Sequence, residues 1–461
     1  MDALPPAPEL CQLDAAALAT AYRKRDLSPV EVTKAALARA EAINPALNAF
    51  TFLDRDGALA EAKASEARWR MGAPLSEVDG VPTTLKDIVW VQGWSVRYGS
   101  TTTDATPCRE DAPAVRKLRE AGCVFIGQTT TPEFGWKALT DSAAFGITRN
   151  PHDPSKTSGG SSGGAAVAAL MQAGRLHLGS DGGGSIRVPA SFCGIFGIKP
   201  SFGRVPAYPA SAFGTVAHIG PMAANVADGL AMLKAMSGRD RRDWNQGAGQ
   251  FPGLEAAPLS PKGLKIGYWR IPPSGALDAE LGAIIDARIA ALAGQGAEIS
   301  LFTLPGGDLL DLFHDHWFSG AATRLAGVPE AKRAGIDPGF LEIAAQGARM
   351  SAVQLVRAQV RRADFGAAMD AALADYDFIL SPGTAIPAFE AGAEVPSGAG
   401  LTRWTEWAGF SYPINLTQQP AAVVPCGKTK AGLPVALQII GGRGEDGKVM
   451  ALAASLEALF A

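Results

Sequence analysis

Short apolar strand-like runs alternate with helical stretches over most of the chain's 461 residues, and this alternation limits the fold more than any other feature. Strands are expected at GVPTTLKDIVWV (80–91), CVFIGQT, RLHLGSD, GIFGIKPS, KGLKIGYWR (262–270), AEISLFTL, YDFILSP (376–382), PAAVVPCG (420–427) and PVALQIIGG (434–442). Between them, DAPAVRKLREAG (111–122), GGAAVAALMQAG (163–174) and DAELGAIIDARIAALAGQG (278–296) read as helices, as does most of 308–375 and a final segment over about 448–460. A further helix opens at Ser28, with Pro29 in its first turn and Glu31 placed to complete a capping box. The pattern predicts an α/β architecture, a large sheet with helices on both faces. No internal repeat or low-complexity linker divides it, and GRDRRDWNQGAGQ (238–250) is the expected exposed loop.

Composition narrows the function classes. With 47% hydrophobic and 19% charged residues the chain can bury a large core. A net charge of −3 gives no basic footprint for nucleic acid. The five cysteines (Cys11, Cys108, Cys123, Cys193, Cys426) are scattered without a CxxC pair, which suggests neither a disulfide framework nor a zinc ribbon and fits a reducing cytoplasm. The N-terminal MDALPPAPELC lacks the basic-then-apolar design of a signal peptide, and no apolar run is long enough to span a membrane.

Three glycine clusters compete for the chemistry. GGRGEDGK holds Gly442, Gly444 and Gly447 in GxGxxG spacing, but too little chain follows for the rest of a dinucleotide-binding unit, so a turn and helix entry are expected. GGSSGG (159–164) matches GxSxG around Ser161, yet NPHDPSKTS before it is a poor strand and no histidine follows His316, against an ordinary nucleophile elbow. It also lacks the lysine of a P-loop. The third cluster, DGGGSIRVPA (181–190), places three glycines directly before Ser185. Successive backbone N–H groups without side chains can converge on one point as an oxyanion hole. The alternative is a glycine-rich turn with a serine helix cap.

The bases available to Ser185 favour neither a histidine nor a metal. His152, His177, His218, His314 and His316 sit in ordinary settings, and the His314-x-His316 pair has no third ligand at metal-site spacing. Lys86 is different, a lysine within an otherwise apolar strand: most lysines in such places point to solvent, but a buried one can lose its charge and act as a base.

Lys86, GGSSGG and GGGSIR, in that order and together with AGCVFIGQTTTPEFG, NLTQQPAAVVPCG and GLPVALQIIGG, resemble the amidase signature family over most of the chain. The resemblance implies one domain over 1–461, with a large mixed, twisted sheet, a core segment at about 75–205 and a variable, helix-rich substrate side at about 300–410. It implies amide hydrolysis by a Ser–cis-Ser–Lys triad: Ser185 as nucleophile, Ser161 as bridging serine, Lys86 as base. The oxyanion hole falls on the backbone of Gly182, Gly183, Gly184 and Ser185. Gly135 and Trp136 match the acyl-pocket segment, and Asp181 and Arg187 are expected to hold the loop's shape. No metal or organic cofactor is implied. The partner expected is a small amide, with no nucleic acid or membrane, for a monomer or homodimer. Gln128, Thr130, Ser158 and Gln418 depart from residues common in the family without removing a catalytic group.

The expected substrates are aryl or hydrophobic amides, with ester or carbamate hydrolysis as a variant: Trp136, Phe313, Trp317, Phe318, Trp404, Trp407 and Phe410 fall where the family's pocket walls arise. Several of them must be core residues, and Trp136 reads equally as one, but two or three in the cleft would make it broad and apolar. The alternatives are the A-type subunit of an aminoacyl-tRNA amidotransferase and a non-catalytic binding member of the fold.

Overall fold

The computed structural model describes residues 6–247, 249, 251–254 and 257–460. The first five residues of the N-terminal stretch considered for targeting, and positions 248 and 250 of the expected loop, lie outside them.

Eleven strands form one sheet: β1 (Phe50–Leu53), β2 (Pro82–Lys86), β3 (Val124–Thr129), β4 (Leu176–Asp181), β5 (Phe196–Lys199), β6 (His218–Ala223), β7 (Lys265–Tyr268), β8 (Glu298–Leu301), β9 (Phe378–Pro382), β10 (Ala421–Lys428) and β11 (Pro434–Ile440). Their spatial order is β1-β3-β2-β4-β6-β5-β10-β11-β9-β7-β8. The sheet is mixed: β2 runs parallel to both β3 and β4, while β6 runs antiparallel to β4 and β5. This is the α/β sheet expected from the alternation.

Helices cover both faces. The largest apolar cluster includes Leu85, Phe125, Leu178, Phe196 and Leu437 with helix residues such as Leu233, Ile285 and Leu452. A second cluster packs the helix Gly163–Leu170 and Ile186 against Met222 and Val423 of the sheet. Ala165, Ala166 and Ala168 are fully buried there, so this small-residue helix lies close to the strands. Ser28 and Glu31 form the expected capping box on the helix Pro29–Leu47, which Pro29 opens.

Two strands of the sheet escaped the sequence reading, and outside it Asp153–Thr157, within the NPHDPSKTS stretch read as a poor strand, pairs with Arg149–Asn150. β6 contains Gly220 and Pro221, which read as breakers, yet it lies between β4 and β5 with Pro221 opposite Leu178. A Cβ at Gly220 would come 2.3 Å from the Ile198 carbonyl oxygen, so glycine lets β5 approach. β1, only four residues long, was also missed. The expected loop at 238–250 is partly folded in. Asp240, Asp243 and Gln246 are buried, with Asp240 accepting from Arg116 and Arg242, whereas Trp244 is exposed. The GGRGEDGK segment is a turn leading into the helix Asp446–Phe460.

Candidate active site

The site forms where β2 and β4 end side by side. Because the two strands are parallel and in register from Thr83↔Leu176 to Leu85↔Leu178, their carboxyl ends bring Lys86 next to Ser180 and Asp181. Crevices at the carboxyl ends of parallel strands are the usual ligand sites of such sheets. Asp87, the next residue, turns the chain away by accepting the N–H groups of Arg97 and Gly99 at 2.8 and 3.1 Å.

Lys86 is fully buried, and its Nζ lies 2.7 Å from Ser161 Oγ, 2.9 Å from Ser162 Oγ and 3.0 Å from Ser180 Oγ. Burial drives its pKa well below that of a free lysine, only partly opposed by the charge of Asp181. Ser161 follows a cis Gly160–Ser161 peptide. Glycine is required at 160, since a Cβ there would sit 2.0 Å from the Leu139 carbonyl oxygen. The GGSSGG segment is thus a turn pressed onto neighbouring backbone, and it presents both serines to the lysine.

Ser185 follows on the loop after β4 and is buried, 5% exposed, at the wall of a cavity of about 360 Å³ that Ser161, Ser180 and Gly182 also line. Asp181 and Arg187 hold this loop as a fully buried ion pair, Arg187 Nε and Nη2 each 3.0 Å from a carboxylate oxygen. Asn415 Nδ2 donates to Asp181 Oδ1 at 2.8 Å, and Arg187 also donates to Gln438 and Asn415. Gly184 N–H donates to Asp181 Oδ1 at 2.8 Å, which corrects the expected oxyanion set: this amide is already engaged. Those of Gly182, Gly183 and Ser185 have no hydrogen-bond partner among the described residues.

The glycines have a second reason to be there. A Cβ at Gly182 would come 2.9 Å from the Trp317 ring, and one at Gly183 would come 2.8 Å from the rings of both Phe313 and Trp404. These aromatic rings press directly on the loop. Phe313 stacks on Trp317 at 5.2 Å and on Tyr412 at 4.9 Å, and Trp404 meets Phe313 edge-on at 5.9 Å.

The predicted pocket residues divide. Gly135 lines the cavity, and a Cβ on it would lie 3.5 Å from Ser161 Oγ. Trp136 does not: it is 1% exposed, packed against Phe340, and its carbonyl accepts from Trp317 Nε1 at 3.0 Å. Phe134, on the other side of Gly135, takes its place on the wall. Of the other aromatic candidates only Trp317 reaches the cavity; Phe313 and Trp404 back the glycine loop, Trp407 stacks on Phe192, Phe410 packs on Trp269, and Phe318 stacks on His314. Sequence reasoning missed Trp90, Tyr98, Phe213 and Arg324, which do line it. It also missed Ser162 and Ser180, although both stand beside residues it had singled out. Gln418, where the family usually has glycine, takes a left-handed φ of 69° and donates to the Thr215 carbonyl. Thr130 hydrogen-bonds Thr148 at 2.6 Å, a structural contact.

A buried lysine among serine hydroxyls, beside a glycine-rich loop that carries a further serine, thus sits at the carboxyl ends of two parallel strands of a mixed sheet. Residues 31–450 match the model of the Amidase family, and the chain belongs to that family, the amidase signature enzymes. It is 33% identical to an acylamidase of Rhodococcus erythropolis over 97% of this chain and 95% of that protein. It is 32% identical to the A-type subunit of the glutamyl-tRNA(Gln) amidotransferase of Koribacter versatilis, over 95% of this chain and 96% of that one. Among solved structures, a bacterial aryl acylamidase of the same family superposes with a TM-score of 0.89 at 27% identity, covering 97% of this chain and 96% of the other. These relationships make the protein an amide-hydrolysing enzyme. Among the described residues no helix is long and apolar enough to cross a membrane.

Proposed function

We propose that the protein hydrolyses aryl or hydrophobic carboxylic amides through an acyl-enzyme on Ser185, with Ser161 relaying protons to Lys86. The observation that carries this is the buried Lys86 amine within hydrogen-bond distance of three serine hydroxyls. A neutral amine has two N–H groups and one lone pair. Ser162 Oγ donates its proton to the Ser180 carbonyl at 3.1 Å, so it faces Lys86 as an acceptor. With Ser180 Oγ accepting the second N–H, the lone pair is left for the Ser161 hydroxyl.

In the reaction Ser161 gives its proton to Lys86 and takes one from Ser185, whose oxygen attacks the amide carbonyl. The carbonyl π electrons move to oxygen, and the resulting oxyanion is met by the free amides among Gly182, Gly183 and Ser185, each such donor being worth roughly 2.7–4 kcal/mol. The same relay run backwards protonates the departing amine as the C–N bond breaks. Water then adds to the acyl-enzyme, loses its proton to the relay, and releases the acid and Ser185. None of these steps uses a metal or organic cofactor. Esters and carbamates share the acyl-enzyme route.

The aromatic cavity walls of Trp90, Tyr98, Phe134 and Trp317 support apolar substrates. The similarity to amidotransferase subunits favours a second reading, ammonia release from glutamine within a complex. Comparing kcat/KM for para-nitroanilides against glutamine and asparagine separates the two. Preference for anilides supports the first reading; preference for the free amino acid amides, with copurifying subunits, supports the second.

A further inference from the structure

One cation on the cavity wall has no counter-charge among the described residues. Arg324 lies in the last turn of the helix Leu309–Ala326, and its guanidinium carbon stands 4.3 Å from the Tyr98 ring centre and 4.6 Å from that of Phe134. All three residues line the cavity shared with Gly135, Ser161 and Ser185. Among the described residues the Arg324 guanidinium makes no ion pair, and its buried Nε has no hydrogen-bond partner.

The other charged residues at this cavity are differently placed. Asp181 is paired with Arg187, and Asp243 accepts the N–H groups of Ala207 and Asn245. Guanidinium remains protonated in proteins, and a half-buried charge without a partner is costly. Burial indeed disfavours the Arg324 cation, with only Tyr98 acting the other way. The two rings offset part of this, since a guanidinium over aromatic faces is attracted by their quadrupoles. They also fix its position and leave its remaining N–H groups without an acceptor among the described residues. A planar donor fork held in place on the wall of the cavity that Ser185 also lines suits a carboxylate, which it can bind bidentately.

We propose that Arg324 is a specificity-determining residue that receives a carboxylate or similar oxyanion on the substrate, so that the enzyme prefers aryl or apolar amides bearing an acid group. This rests on the amide-hydrolase reading with Ser185 as nucleophile.

The test compares kcat/KM within two matched pairs, using the full chain. In one the acid is on the acyl side, succinyl against butyryl para-nitroanilide. In the other it is on the amine side, para-acetamidobenzoate against acetanilide. The native protein should favour the acid member of one pair by about tenfold or more, the value of a charge-assisted hydrogen bond. Arg324→Met should abolish that ratio while leaving the neutral member within about threefold, and Arg324→Lys should keep part of it. A merely structural role for Arg324 would lower both members together and leave the ratio unchanged. The inference is overturned if neither pair shows an acid preference, or if the preference survives in Arg324→Met. Hydrolysis of the neutral members alone preserves the amidase reading while rejecting the inference; no hydrolysis of any of the four rejects both.

Discussion

Lys86 Nζ stands 2.7 Å from Ser161 Oγ, and neither residue is more than 2% exposed. Burial of a lysine so enclosed, with no salt bridge among the described residues, lowers its pKa well below the ordinary value and favours the neutral amine. In the proposed relay the hydroxyl beside it is the proton donor.

Lys86→Ala should lose on the order of 10⁴-fold or more in kcat, close to the loss in Ser185→Ala, because members of a relay act as a unit. Ser161→Ala should be severe but leave more residual activity, since a water molecule can stand in for a hydroxyl. Steady-state kinetics on a para-nitroanilide, with folding checked by circular dichroism, decides it; a Lys86→Ala variant within tenfold of the native rate would contradict the relay.

Ser162→Ala and Ser180→Ala should lower kcat without raising KM, because each removes an acceptor that turns the Lys86 lone pair toward Ser161. Ser180→Thr should restore most of the activity lost in Ser180→Ala. Equal activity in all of these variants would mean that the lysine is oriented by Ser161 alone.

The pH profile follows from Lys86. Its pKa is lowered by burial, so the neutral base persists at pH values where a free lysine is charged. As pH falls through the lowered pKa, Lys86 takes a proton, and kcat/KM should drop by about tenfold per pH unit. Stability has the same sign, because the unfolded chain binds the extra proton more readily: stability should rise with pH between the folded and unfolded pKa values. In Lys86→Met this part of the pH dependence of Tm should disappear.

Gly183→Ala should destabilise the fold by ~1–3 kcal/mol through overpacking, because the added methyl meets Phe313 and Trp404 at 2.8 Å. Activity should fall further than stability, since yielding rings or loop would displace the adjacent amides. Thermal melts alongside kcat measurements test this; an unaffected kcat would show that the loop tolerates the shift.

Much of this arrangement was legible in the sequence, for reasons tied to individual residues. Lys86 announced itself as a charge within an apolar strand, and Ser185 as a hydroxyl after three glycines. Their convergence was not visible locally, since it depends on β2 and β4 being parallel neighbours. Only the resemblance to a family joined them. Ser180 was overlooked because nothing in its own surroundings marks it; it meets Lys86 through strand register alone. β6 was lost because Gly220 and Pro221 mimic a turn, and tertiary packing on both sides overrode that signal. That several aromatic candidates would be core was expected, but which of them was not legible, because a tryptophan's size favours burial regardless of function. Trp136 faces Phe340, while the wall is built by Phe134, two residues earlier.

The most direct test of the central claim is to treat the protein with a fluorophosphonate and map the modified residue by tandem mass spectrometry. One adduct is expected, on Ser185, formed more slowly in Lys86→Ala and absent in Ser185→Ala. An adduct on Ser161 or Cys193, or undiminished labelling of Ser185→Ala, would contradict the assignment of Ser185 as the nucleophile.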